Sequence, residues 1–432
     1  MLPVLGVGFG LAVTIGNAVG AGIFRAPGEV AGHLPVAWLF LSVWAAGGLY
    51  ALLGALQLAE LGTMIPRSGG QYVFSRYALG EYPGFIVGWS DWISSCGTTA
   101  AVSLVIGEFS GALFPVLSER TSAVAAAVVI LFAAVQWRGI RRGSLVQNVT
   151  SALKALAFAA LVVAAFVLGG QASTPEAAIP LPEGMALAGA FVLSLQAVIY
   201  TYDGWSGVVY FSEEVENPGR DIPRSLVGGV LAIIATYLLV NLALLHVLPV
   251  SAMAGEAFAV GAAAEAIFGE SGDAVFRILT ILSMLSAINA YHLMASRVLF
   301  AMSRDGLVSA RAAAVNDGGT PTVALLLSTA VAVLFIVFGR TFEKVITVLA
   351  FFFVANYTLS FISLFVLRWR EPEKARPYRA WGYPWTTALA LLGSIVFLAG
   401  AIASDTRNSL YALLLLGASY PGLRIMTSLS GR

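Results

Sequence analysis

Three short stretches place polar or backbone-loosening residues inside long apolar runs. Gly16-Asn17-Ala18-Val19-Gly20-Ala21-Gly22-Ile23-Phe24 sets glycines and an amide among aliphatic neighbours. Tyr200-Thr201-Tyr202-Asp203-Gly204-Trp205-Ser206-Gly207 sets a carboxylate and two glycines between aromatics. Ser151-Ala152-Leu153-Lys154-Ala155-Leu156 holds a lone lysine. Where a helix stops and restarts, the N–H groups opening its second half attract a carboxylate. The freed carbonyls closing its first half attract an ammonium or a cation. The Gly16-to-Gly20 spacing has a second reading, the close packing of helices through small residues.

The elements that position these residues follow from composition. Of 432 residues, 59% are hydrophobic and 11% charged, against about 25% charged in an ordinary soluble domain. A net charge of +1 excludes a nucleic-acid binder, and such hydrophobicity excludes a disordered chain. One cysteine, Cys96, and three histidines, His33, His246 and His292, leave no ligand set for a metal cluster and no disulfide framework. The chain is expected to be an all-α integral membrane protein. Apolar runs long enough to cross a bilayer lie at about 4–32, 36–64, 83–112, 121–138, 144–169, 187–214, 225–248, 273–304, 322–339, 342–368, 384–403 and 408–427. These make twelve transmembrane helices. Nothing in the first residues reads as a signal peptide.

Loop charges orient the spans. One side collects most of the basic residues, from Arg67 and Arg76 through the Arg368–Arg379 group to Arg424 and Arg432. The other side holds few, among them Arg120, Arg277 and Arg340. The asymmetry puts the N- and C-termini in the cytoplasm. The outer loop near 249–272 carries Glu256, Glu265 and Glu270, and is expected to hold a short amphipathic helix on the membrane surface. The interruptions at Gly16–Gly22 and Tyr200–Gly207 open corresponding halves of the chain, which points to an inverted-repeat transporter.

At these residues the chain resembles the amino acid–polyamine–organocation superfamily, and within it the L-type amino acid transporter branch. Gly20-Ala21-Gly22-Ile23-Phe24 is similar to its first-helix pattern. Ala59-Glu60-Leu61-Gly62 with Pro66 and Ser68-Gly69-Gly70-Gln71-Tyr72 matches the end of its second helix. Tyr202-Asp203-Gly204-Trp205, then Glu213-Glu214 and Asn217-Pro218, matches the sixth. Ser296-Arg297 with Ala301 to Gly306, and Arg376-Pro377-Tyr378-Arg379 with Tyr383-Pro384, fit the eighth-helix ending and the loop before span 11. The ordered matches cover about residues 14–385.

The resemblance implies a LeuT-type 5+5 inverted repeat with discontinuous helices 1 and 6. Residues 1–169 form the first repeat, 187–368 the second, and 384–427 two peripheral spans. It implies a secondary active transporter of amino acids that exchanges neutral L-amino acids by alternating access, in the plasma membrane and not an enzyme. The substrate carboxylate is expected at the N–H groups of Gly20, Ala21 and Gly22. Its ammonium is expected at carbonyls near Asn17, Ala18 and Tyr200, with Asp203 or Gly204 adjacent. Tyr200 corresponds to the gating aromatic, and Trp205 is expected in the outer pathway. Lys154 corresponds to a fifth-helix lysine that stands where sodium-coupled relatives bind Na⁺. It is expected to bridge the Gly16–Ala18 carbonyls to span 8 near Ser283 or Ser286, making transport sodium-independent.

Other polar residues have plainer readings. Asp203 either holds a substrate ammonium or cationic side chain, or caps the broken helix. Asp91 and His292 are read as packing residues, and Asn289 as a core hydrogen-bonder. Glu213, Glu214 and Glu216 are expected to pair with arginines such as Arg220 and Arg224. The small residues Ser94 to Thr99 leave room opposite the first break. No cysteine stands in the loop after span 3, so a disulfide-linked heavy subunit is not expected, and the chain reads as stand-alone. The partners are then an amino acid and the lipid bilayer, with no nucleic acid, cofactor or metal. The alternative is a proton-coupled or exchange transporter of cationic amino acids or polyamines. A membrane enzyme lacks a nucleophile or metal constellation.

Overall fold

The computed structural model describes residues 2–20, 22–170, 180–339, 342–404, 406–417 and 419–421, with side chains except those of 273, 339, 342–350, 404, 406–408, 411 and 415. Arg340, Arg424 and Arg432, and the end of the run at 408–427, lie outside the described residues.

Every element is helical among the described residues. The first apolar run is two helices, α1 (Val7–Ala18) and α2 (Gly22–His33), bent by 44°. Then follow α3 (Ala37–Met64), α4 (Gln71–Leu79), α5 (Glu81–Leu113), α6 (Thr121–Trp137), α7 (Ile140–Leu168), α8 (Gly184–Tyr202) and α9 (Pro218–Val247). The short α10 (Val250–Met253) and α11 (Ala259–Phe268) precede α12 (Gly272–Arg304). The chain closes with α13 (Thr322–Gly339), α14 (Phe342–Arg370), α15 (Trp385–Ser404) and α16 (Thr406–Gly417). Among the described residues nine helices are long and apolar enough to cross a bilayer, and ten if the bent α1–α2 pair is one span. This is a multi-pass membrane protein. The helices at 322–338 and 412–421 are shorter.

Burial sorts the helices into layers. In α5, 78% of the apolar window is buried, against 22% in α6 and α15. The small residues Ser94 to Thr99 are buried within α5, whose most extensive helix contact is with α12. The helices α6 and α7 turn Leu131, Leu156, Val163 and Val167 outward, as lipid-facing surfaces do. The loop helix α11 packs against α2, α7, α9 and α12 and buries Ala259, Val260, Ala263 and Ala264. It therefore sits on the bundle itself, and not simply on the membrane surface as the loop charges suggested.

Both interruptions are real breaks in the helical ladder. α1 stops at Ala18, Val19 turns to φ −73°, ψ 78°, and the Gly20 N–H donates to Ala18 O at 2.7 Å. α8 stops at Tyr202, and Gly204 takes φ +98°, a left-handed conformation that glycine adopts without strain. A 3₁₀ turn, Gly207–Phe211, follows. Near the chain start, Leu5 forms a parallel bridge with Val215: the Leu5 N–H donates to Glu214 O (2.8 Å) and the Glu216 N–H to Leu5 O (2.9 Å). The N-terminus is thus fastened beside the segment that follows the second break.

Candidate functional site

The two breaks face one another across a cavity of about 30 Å³. Asn17, Ala18, Gly20 and Gly22 line it from the first break, and Tyr200, Thr201 and Asp203 from the second. Thr98 and Val102 of α5 and Ala287 and Tyr291 of α12 complete the wall. The volume suffices for about one or two waters, so an amino acid needs the walls to part. Ala21 lies outside the described residues.

The glycines divide between two tasks. A Cβ on Gly16 would fall 2.3 Å from both Gln147 Nε2 and Ser151 Oγ, so Gly16 serves close packing of α7 on α1. A Cβ on Gly20 would meet nothing closer than 3.8 Å, and Gly20 lines the cavity. Both readings of the Gly16-to-Gly20 spacing therefore hold, one at each end. Gly22 lets α2 begin against Thr201, where a Cβ would meet Thr201 Oγ1 at 2.8 Å.

Cross-links hold the breaks together. Asn17 donates through Nδ2 to Gly204 O at 3.1 Å. The Tyr237 hydroxyl of α9 lies 2.8 Å from Ala18 O and 2.9 Å from Thr201 O, sharing its proton between carbonyls in the last turns of both half-helices. Composition gave no hint of this tyrosine; its only signal was an aromatic hydroxyl within a mostly aliphatic span. Two polar atoms on the wall, Asn17 Oδ1 and Thr98 Oγ1, are buried with no hydrogen-bond partner.

Lys154 is 1% exposed. Its ammonium donates to Gly16 O at 2.7 Å and to Val19 O. Ser286 Oγ donates to Gly16 O (3.2 Å) and Ser283 Oγ to Val19 O (3.1 Å). The carbonyls freed by the first break thus meet a buried cation from α7 and two hydroxyls from α12. A charge taken out of water needs such partners.

Asp203 lines the cavity and also closes α8. Tyr357 donates to Oδ1 at 2.8 Å, and Tyr291 to Oδ2 at 3.4 Å. Tyr200 stands on the cavity wall. Trp205, expected in the outer pathway, does not line the cavity. It is 1% exposed, stacks on Tyr357 with centroids 4.9 Å apart, and fits only because residue 54 is glycine, where a Cβ would lie 2.7 Å from its ring. The sharp turn at Gly204 carries it away from the cavity and into the core.

Asp91 accepts the Tyr210 hydroxyl at 2.8 and 3.0 Å, a packing role away from the cavity. His292 contacts Thr329 Oγ1 at 3.0 Å, and Asn289 donates to Gly143 O and Gln147 Oε1. The acidic cluster departs from expectation. Glu214 makes a two-pronged pair with Arg297, both bonds 3.0 Å and both side chains fully buried. Glu213 pairs with Arg304 at 2.6 Å, while Arg220 turns to its neighbour Asp221. The fork of Arg297 matches a carboxylate plane, and its face lies 5.2 Å from the Phe211 ring. On the same end of the bundle, Glu60 takes Arg368 (2.6 Å) and Arg376 (3.1 Å), and Asp305 takes Arg67 and Arg76. The sequence motifs contained most of these residues without revealing their pairing.

Sequence comparison adds what geometry leaves open. The profile of a family described as amino acid permease matches residues 10–419. The chain belongs to the amino acid permease family. The permease is therefore a membrane transporter of the amino acid–polyamine–organocation superfamily and not an enzyme. It is 29% identical to the serine/threonine exchanger SteT of Bacillus subtilis (strain 168) over 426 residues, 96% of this chain and 95% of that protein. It is 28% identical to the human b(0,+)-type amino acid transporter 1, covering 95% of this chain and 85% of the relative. The mouse Asc-type amino acid transporter 1 is 27% identical over 85% of the permease and 71% of its own length.

Proposed function

We propose that the permease exchanges small neutral L-amino acids by sodium-independent alternating access. The observation that carries this is the Lys154 ammonium. It meets the Gly16 and Val19 carbonyls, to which Ser286 and Ser283 also donate. A fixed cation at oxygens suited to Na⁺ removes the need for a bound ion. The substrate carboxylate docks at the N–H groups of Gly20, Ala21 and Gly22, and its ammonium at carbonyls of Asn17, Ala18 and Tyr200 beside Asp203 and Gly204. Lys154 couples the first break to α7 and α12, Tyr200 gates the cavity, and Trp205 supports the second break.

The unpartnered Thr98 Oγ1 and Asn17 Oδ1 favour a substrate with a hydroxyl, as does the small cavity. Serine/threonine exchange, for which SteT is named, points the same way. In this reading twelve spans form a LeuT-type 5+5 inverted repeat, residues 1–169 and 187–368, with 384–427 peripheral. Both termini are cytoplasmic, and the permease works without a heavy subunit. The second reading, cationic substrates, rests on the cavity-lining carboxylate of Asp203. Both its oxygens already accept tyrosine hydroxyls, which weakens that case.

The test is countertransport in proteoliposomes. Labelled serine uptake should require internal serine, threonine or alanine, and should be unchanged when potassium replaces sodium. Uptake indifferent to internal substrate, or arginine outcompeting every neutral amino acid, overturns the proposal.

A further inference from the structure

A second cavity, of about 390 Å³, lies outside the transport site at the end of α14, lined by Arg368, Trp369, Pro372, Arg376, Arg379 and Tyr383. Its three guanidiniums are differently engaged. Arg376 is nearly buried and donates to the carbonyls of Leu367, Glu371, Pro372 and Lys374, so it builds the loop. Arg368 reaches Glu60 at 2.6 Å and lies 4.5 Å from the Tyr383 ring, while its Nε is buried without a hydrogen-bond partner. Arg379 is exposed and makes no ion pair among the described residues. Against three cations the pocket sets one carboxylate, Glu60, and the excess is positive.

The level of this pocket is marked by tryptophan. Trp369, Trp381 and Trp385 are 83%, 76% and 80% exposed, at the end of α14, in the loop, and at the start of α15. Indoles left bare where membrane helices end sit in the headgroup layer, apolar faces toward the acyl chains. A basic cleft at that depth meets phosphodiesters. We propose that this pocket binds the headgroup of an anionic phospholipid, its phosphate held by Arg379 and the free edge of Arg368, with Trp369, Trp381 and Trp385 against its chains. A soluble anion could use the arginines but would gain nothing from the three indoles.

Native mass spectrometry of the delipidated full-length permease, titrated with phosphatidylglycerol or phosphatidylcholine of matched chains, tests this. Phosphatidylglycerol should bind about fivefold or more tighter. Arg379→Gln should remove most of that preference, Arg379→Lys should keep part of it, and Arg141→Gln, exposed in the first turn of α7, should leave it intact. Trp385→Ala should weaken both lipids. Equal binding of the two lipids by the unaltered protein, an unaffected Arg379→Gln variant, or an equal loss in Arg141→Gln overturns the proposal. Complete displacement of phosphatidylglycerol by millimolar inorganic phosphate also overturns it, since the site would then read a free anion.

Discussion

The side-chain amide of Asn17 donates to the carbonyl of Gly204 at 3.1 Å, joining two helix interruptions 187 residues apart. Replacing Asn17 with alanine leaves that carbonyl buried without this donor, a cost of about 1–3 kcal/mol. Gly204→Ala is expected to be worse. It forces a side chain onto φ +98° and brings a Cβ to 3.0 Å from Asn17. Serine uptake in proteoliposomes should fall roughly tenfold in the first variant and further in the second. Equal activity of Gly204→Ala and the unaltered protein refutes the tie between the breaks.

Lys154→Ala removes the cation from the Gly16 and Val19 carbonyls and leaves them the two serine hydroxyls. Exchange turnover should drop by about tenfold or more, which is about 1.4 kcal/mol of barrier. Single-turnover uptake and equilibrium substrate binding, measured separately, distinguish lost coupling from lost affinity. Unchanged turnover excludes Lys154 as a coupling element.

Tyr237→Phe deletes one hydroxyl that lies within hydrogen-bond distance of both Ala18 O and Thr201 O. The expected cost is about 1 kcal/mol, read as a roughly fivefold rise in KM for uptake. An effect confined to thermal stability, with KM untouched, would assign Tyr237 to scaffold alone.

Thr98→Val keeps the shape of the side chain and removes its unpartnered hydroxyl. Serine should lose about fivefold in competition with alanine, while alanine uptake stays near its original rate. Loss of both substrates alike would mean that Thr98 sets the volume of the cavity and does not read a hydroxyl.

Glu214 and Arg297 are both fully buried, so removing either strands the other. Glu214→Leu alone should destabilise the permease by about 3–5 kcal/mol, and adding Arg297→Met should recover most of it. Thermal unfolding in detergent, followed by size-exclusion profile, gives the comparison. If the double variant is no more stable than the single one, charge burial is not what the pair resolves.

How far the sequence disclosed this arrangement depended on how locally each feature was encoded. Most apolar runs coincided with a helix among the described residues, the first with two, because the length needed to cross a bilayer is written in consecutive residues. Lys154 stood out for a similar reason: a single charge in an aliphatic run has to find oxygens, and the nearest freed ones were those of the first break. The partner of Glu214 was hidden by comparison. Arg297 lies 83 residues away, and Arg220 and Arg224 were closer in the chain. The burial of Trp205 against Tyr357 was not legible, because the direction of a side chain after a left-handed glycine depends on backbone angles that residue type does not specify. Tyr237 and Thr98 gained their meaning only from what faces them across the bundle.

The bridge between Leu5 and Val215 gives α1 a second attachment. Its far end is tied to Gly204 through Asn17, so the half-helix is pinned at both extremities to the stretch that follows α8. A rod hinged to one neighbour at two points has lost its freedom to swivel alone. Any stroke that exposes the cavity from this side has to carry the residues from 204 to 216 with it, as one lever in place of two.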